Sequence, residues 1–503
     1  MLFDCDIGVG MSVGILSLII FLPMVVAFIV LVLPLNSKMT RNIAFSVSLV
    51  IFAMALYIYT HFELSGAIQF RENYAWIQSY GISYSVGIDG FSLIVLMLIA
   101  TLIPSAYLLL WHNSRSKSYW VSMLLIQSGI SGTLFSLDLF LFYFFWEAML
   151  LPVFMIIGLF GSGNRVFSTL KVTIYTIMGS LFMFVSILYL GVAHYYEFGS
   201  WSFALSDLVH ISTLTYMQKT LLFAGFMLAF AIKIPLFPFH TWLLETYSNS
   251  PTGGVFLLSS IMAKLGVYAL VRFMMPLFPE QFVSFSAFFI ALGIFGLIYF
   301  GIAAISQYNI KKMFAYSSAS HLGFITAGIF ALNIQGMMGS AFLIVAHAIA
   351  TGGLFLLVGV MERHLGIRSL SALGGIASKA PWFTLFFAIM LFCTVGIPGT
   401  NGFVAELLIV LGIFHYNPIL GVLAALTVLV AASYMFWVFQ KAILVKSEND
   451  ISKMRDLSFN EILGLIPLAV LIIAMGVYPD LFLYKIEPTL QHYLLDILHL
   501  GSK

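Results

Sequence analysis

Six ionisable side chains lie well inside runs of about twenty apolar residues, the length that spans a bilayer. They are Glu147 (in Phe144-Phe145-Trp146-Glu147-Ala148-Met149), Lys233, Lys264, His321, His347 and Glu406. A charge held at that depth costs roughly 2.5–3.5 kcal/mol on insertion scales. The residue types suit proton movement. Burial lowers the pKa of a lysine and raises that of a glutamate, so each can be brought toward neutrality, where histidine already titrates. A row of such groups, bridged by water, passes a proton without exposing a bare charge to lipid. Simpler readings exist. A Glu147–Lys233 pair could be a structural clasp, and His321 could donate to a neighbouring carbonyl. His240 reads as interfacial, and Asp89 and Asp138, at the starts of spans, read as helix caps. Six ionisable groups on six separate spans exceed what clasps require, which favours transport.

Two of the six sit beside a broken helix. After Lys233, Pro235 and Pro238 each remove a backbone donor and free carbonyls upstream. In hydrocarbon such a break survives only where protein or trapped water satisfies the freed groups. The stretch 382–413 is too long for one straight span and contains Gly396-Ile397-Pro398-Gly399-Thr400-Asn401-Gly402, a second break. Glu406 is expected in the first turn after it, where the helix N-terminus favours an ionised carboxylate. Lys233 and Glu147 have opposite signs. An ion pair would hold Lys233 protonated, and separating the partners would push it to release its proton.

The elements that must position these groups are helices in a membrane. Of 503 residues, 61% are hydrophobic and 8% charged, against about a quarter charged in soluble domains. An all-α, polytopic membrane protein follows. The net charge of +2 and the lack of a basic run give no nucleic-acid partner. Cys5 and Cys393 are too few for an iron–sulfur cluster, which normally takes four thiolates. The Gly8-Val9-Gly10 stretch lacks a βαβ context and reads as a loop. The first apolar run is long enough to span and lacks a basic leader.

Fourteen spans are expected, at 13–35, 41–60, 90–112, 119–137, 138–160, 168–192, 219–243, 253–275, 282–303, 311–332, 337–361, 382–413, 417–443 and 458–482. Loops after odd-numbered spans hold fifteen Lys and Arg, and those after even-numbered spans three, Arg272 among them. This bias places both termini on the non-cytoplasmic side. Residues 119–275 and 282–443 form two five-helix blocks whose fourth helix is the broken one. Five is odd, so the repeat is inverted, with sites expected near the midplane. Residues 1–118 and 444–503 flank the blocks.

Several motifs carry a resemblance. They are Gly87-Ile88-Asp89-Gly90, Trp146-Glu147, Lys233-Ile234-Pro235-Leu236-Phe237-Pro238-Phe239-His240-Thr241-Trp242-Leu243 and Pro251-Thr252-Gly253-Gly254. Further on come Lys264-Leu265-Gly266-Val267-Tyr268, Lys311-Lys312-Met313-Phe314-Ala315-Tyr316-Ser317-Ser318 and Gly396-Ile397-Pro398-Gly399. In these, over spans three to thirteen, the chain resembles the antiporter-like subunits of proton-pumping respiratory NADH–quinone oxidoreductase. Within that family, the large L-type subunit and related sodium/proton antiporter subunits resemble one another in carrying Lys on the twelfth span. Glu406 aligns this chain with the shorter group that carries Glu. The resemblance implies that Glu147 and Lys233 form a modulating pair, that Lys264, His321 and His347 form the central relay, and that Glu406 is the terminal proton site. It implies no cofactor in this chain, with NAD, FMN, iron–sulfur clusters and quinone in partner subunits. It also implies L-type, N-type and small membrane subunits as neighbours in a bacterial inner membrane. One departure is visible: the family's usual Pro and His after Trp242 are Leu244 and Tyr247 here. A subunit of a sodium/proton antiporter or membrane-bound hydrogenase, and an inert membrane spacer, are the alternative functions.

Overall fold

Hydrocarbon offers the backbone no hydrogen-bond partner, so a chain this apolar must satisfy itself within helices. The computed structural model describes residues 14–446 and 451–501, excluding the side chains of 498–501. Cys5 and the Gly8-Val9-Gly10 loop lie outside the described residues. Among those described, ten helices are long and apolar enough to cross a membrane. The other expected spans fall on Lys117–Phe135, Tyr216–Lys233 and Ile310–Phe330, whose serines, glutamines and lysines lower their hydropathy, and on the shorter pair Pro381–Val395 and Asn401–Tyr416.

Two helices form the centre. Thr252–Leu277, which carries Lys264, and Ile334–Leu365, which carries His347, are fully buried over their most apolar 18 residues, whereas Ile15–Val32 and Ser37–His61 are only one-third buried there. Ile334–Leu365 packs against Ile310–Phe330, Pro381–Val395, Asn401–Tyr416 and Gly90–Leu109. Small residues permit the close approach. A Cβ on Gly339 would stand 2.7 Å from the Ile409 amide nitrogen, so the His347 helix and the Glu406 helix meet backbone to backbone.

Both expected breaks are present. Helix Tyr216–Lys233 ends at Lys233 and resumes at Thr241–Asn249, and Pro381–Val395 resumes at Asn401–Tyr416. Three features were not anticipated. The Glu147 span divides into Leu139–Ala148 and Leu150–Phe160, because Pro152 has no N–H for the Ala148 carbonyl. The Lys264 helix contains two π-helical turns, Leu258–Met262 and Leu270–Met274, on either side of Ala263–Ala269. An antiparallel hairpin, Gln69–Ile77 with Ile82–Ile88, precedes the third span, its turn closed by Gly81 at φ +63°. It marks one face of the bundle, called here the hairpin face.

Candidate functional site

The row begins at Glu406 and runs inward. Asn309 caps helix Ile310–Phe330 by accepting from the Lys311 and Lys312 amides, and this helix carries His321 to the bundle centre. His321 Nε2 lies 3.4 Å from Glu406 Oε1 and 3.2 Å from the Thr394 carbonyl, while Nδ1 lies 2.8 Å from the Ser317 carbonyl. The carbonyl contacts expected of a lone histidine are therefore present together with the carboxylate. The His321 ring stacks on that of His347, with centroids 5.0 Å apart and planes 14° from parallel. Both ring nitrogens of His347 are buried without a protein partner. Buried polar atoms in native proteins nearly always find a partner, protein or water.

Glu406 is the sixth residue of its helix, not in the first turn, since the break extends to Thr400 and the helix begins at Asn401. The dipole acts mainly within the first turn, so it contributes less than expected. The break itself positions the carboxylate: a Cβ on Gly396 would collide with Glu406 Oε2. Gly396 and Gly399 adopt φ of +71° and +92° around Pro398, a backbone open to glycine at no steric cost. Cys393 Sγ donates to Asn401 Oδ1 at 2.9 Å across the gap.

Lys264 continues the row. Its ammonium is buried and donates to the Ser259 carbonyl, five residues back in the π turn. It lies within electrostatic reach of His347. Ser260 of the same turn, its hydroxyl unpartnered, abuts Gly352 of the His347 helix.

Lys233 lies at the first break. Pro235 and Pro238 turn the chain, and Trp242 Nε1 donates to the freed Ile232 carbonyl at 3.0 Å. Lys233 Nζ sits 4.9 Å from the Trp146 ring centroid, a cation–π contact. A cavity of about 20 Å³ is lined by Lys233 with Trp146, Thr176 and Trp242, and by Met262 and Ala263 of the Lys264 helix, which packs directly against Lys233 at Gly266. That is room for one water. Glu147 is half-buried and makes no direct ion pair with Lys233, and its Oε1 lacks a partner. It acts on Lys233 only at a distance. The structure thus brings His347, His321 and Glu406 into contact, sets Lys264 beside them, and leaves Lys233 and Glu147 apart.

Two residues read differently from their sequence positions. His240, expected at the interface, is buried against the rings of Phe237, Tyr299 and Phe300, because the proline turn folds back onto helix Ser286–Ile305. Tyr247, at the departure from the family pattern, is buried with an unpartnered hydroxyl.

The bundle's two faces carry a different kind of charge. Arg272, counted among the loop cations, is buried inside the second π turn. Its Nη1 donates to Asp89 Oδ2 at 2.7 Å. Asp89 caps helix Gly90–Leu109, as expected, in a capping box with Ser92, and accepts from Tyr493 at 2.8 Å. Burial raises the pKa of this carboxyl, but Arg272 and the Ser92 and Tyr493 hydrogen bonds outweigh it and hold the value below that of an ordinary aspartate. A lowered folded value means the contribution to stability is present at neutral pH and lost as pH falls through that value. On the opposite face Lys311 pairs with Glu362 at 2.6 Å, Arg368 joins the same carboxylate, and Arg363 pairs with Glu461.

Broken helices around a buried row of exchangeable groups define a class of membrane ion translocators. The transmembrane family described as NADH:quinone oxidoreductase/Mrp antiporter matches residues 136–432, which include all six candidates. The chain belongs to this family. More particularly, it is 34% identical over 495 residues to subunit M of NADH-quinone oxidoreductase from Rhodobacter capsulatus, covering 95% of this chain and 96% of the relative. To subunit M from Rickettsia conorii it is 36% identical, covering 96% and 99%. Among solved structures, a chain of respiratory complex I from Thermus thermophilus superposes with TM-score 0.87 at 29% identity, covering 96% and 99%. A chain of the Mrp complex from Dietzia sp. gives 0.84 at 18% identity, covering 96% and 99%, a likeness of fold alone.

Proposed function

We propose that the chain is a proton-translocating subunit of the membrane arm of respiratory NADH–quinone oxidoreductase, and that protons pass along Lys233, Lys264, His347, His321 and Glu406. The observation that carries the relay is the unbroken contact from the His347 ring through His321 to the Glu406 carboxylate. Glu147 sets the charge state of Lys233. Drawn close, it stabilises the ammonium; held away, it leaves the ammonium to Trp146 and burial, which favours release. The released proton crosses the water-sized cavity toward the Lys264 helix. Lys264 passes its own proton to His347, whose ring nitrogens are open to accept. The stacked pair delivers it to Glu406 through His321 Nε2.

In this reading NADH, FMN, iron–sulfur and quinone chemistry belongs to partner subunits, and L-type, N-type and small membrane subunits flank the chain in a bacterial inner membrane. The hairpin face is the non-cytoplasmic one, since Lys311 and Lys312 lie on the other. Residues 119–275 and 282–443 act as two half-units between 1–118 and 444–503. The likeness to the Mrp complex adds nothing toward sodium exchange. The test is Glu406→Gln in the assembled complex in proteoliposomes. Proton uptake per NADH should fall sharply with assembly retained; full uptake would remove Glu406 from the path.

A further inference from the structure

Lys264 does not end the polar groups on its helix. Tyr268 and Arg272 follow at four-residue spacing, a stripe running from the relay to the hairpin face. Tyr268 donates to the Leu134 carbonyl at 2.8 Å. At the far end Arg272 meets Asp89, and Tyr493 of the C-terminal helix Glu487–Gly501 closes over both. Arg272 and Asp89 are buried and Tyr493 partly so, and Gly90 N donates to Thr489 of the same helix at 3.1 Å. Water joining such a stripe would give a proton on Lys264 a second way out, one that bypasses His347 and Glu406.

We infer that Arg272, held by Asp89 and Tyr493, is a fixed-charge plug that closes this route to protons and so commits them to Glu406. A guanidinium is charged at every accessible pH. It can neither take up nor hand on a proton, and it repels one arriving from Lys264, as arginines do in pores that exclude protons. Asp89 keeps that charge in place, and the C-terminal helix keeps water of the hairpin face off the pair. The inference rests on Lys264 carrying protons.

The test is passive proton conductance of the whole complex in proteoliposomes, without NADH, under an imposed potassium diffusion potential. Arg272→Gln removes the fixed cation and leaves a carboxyl that can take up a proton at the hairpin face, so conductance should rise several-fold. Asp89→Asn removes the counter-charge but leaves the cation, with an amide oxygen and the Tyr493 hydroxyl still accepting from it, so conductance should stay at the native level. A plain structural clasp would make the two variants equally leaky, and that result overturns the inference. Adding Lys264→Met to Arg272→Gln should abolish the leak; a leak that persists shows a route not served by Lys264 and also overturns it. If Arg272→Gln does not assemble, Arg272→Lys decides. It keeps the pair, yet its ammonium can release a proton to Asp89, so its leak should exceed the native level and grow with pH. A native leak at all pH values is the contrary result. NADH-driven pumping in the single variant Lys264→Arg tests the underlying relay separately.

Discussion

At the centre of the bundle Lys264 has one protein acceptor, the Ser259 carbonyl, and His347 has none at either ring nitrogen. At the hairpin face Asp89 is engaged by Ser92, Arg272 and Tyr493 together, and at the opposite face Glu362 is held by both Lys311 and Arg368. Lys264, His347, Asp89 and Arg272 are all buried, so burial alone does not distinguish the centre from the hairpin face. Satisfaction does. A charge locked by several partners has little reason to change its protonation, whereas one with a single carbonyl or an unfilled nitrogen can exchange a proton with a neighbour or a water at small cost. On the proposed reading, Lys264 and His347 are free to exchange protons because the protein leaves them incompletely paired.

Substitutions can break or sharpen this contrast. The largest effect is expected at Glu406→Gln, which removes the carboxylate touching His321: pumping should be lost or nearly so, read as vesicle acidification with NADH oxidation measured alongside. Glu362→Gln should act on the other side of the comparison. Removing the carboxylate leaves the buried Lys311 ammonium without its counter-charge, so the yield of assembled complex and its Tm should fall, with the remaining complex pumping at the native proton-to-electron ratio. Glu147→Gln should give a partial loss of pumping, because Glu147 influences Lys233 without touching it; native pumping would return the residue to a structural role. The smallest effect is expected at Glu406→Asp, where a titratable carboxyl remains but stands one methylene further from His321. Its pumping should exceed that of Glu406→Gln in the same assay.

The six candidate residues were legible in the sequence because a charge in an apolar run is conspicuous whatever its neighbours. So were the two breaks, since Pro235, Pro238 and the Gly396–Pro398–Gly399 run cannot continue a helix. What escaped was set by distance along the chain or by backbone detail. Arg272 looks like a loop cation until Asp89, 183 positions earlier, is brought against it. The π turns around Lys264 have no proline or glycine to announce them. Glu406 falls a turn later than expected because composition does not say where a helix resumes, and His240 is buried because the proline turn folds inward. The hairpin lay unnoticed in the segment between the second and third spans, although Ile82, Tyr84, Val86 and Ile88 alternate as a half-buried strand would. The openness of the Glu147–Lys233 pair is likewise a matter of geometry: opposite signs on two helices do not reveal that Trp146 takes the ammonium.

The most direct test of the central claim is the number of protons taken up per NADH oxidised by proteoliposomes carrying the complex with Lys264→Arg. The guanidinium retains the positive charge and cannot release a proton, so the ratio should fall while electron transfer continues. A ratio equal to that of the native complex would mean that protons do not pass through Lys264.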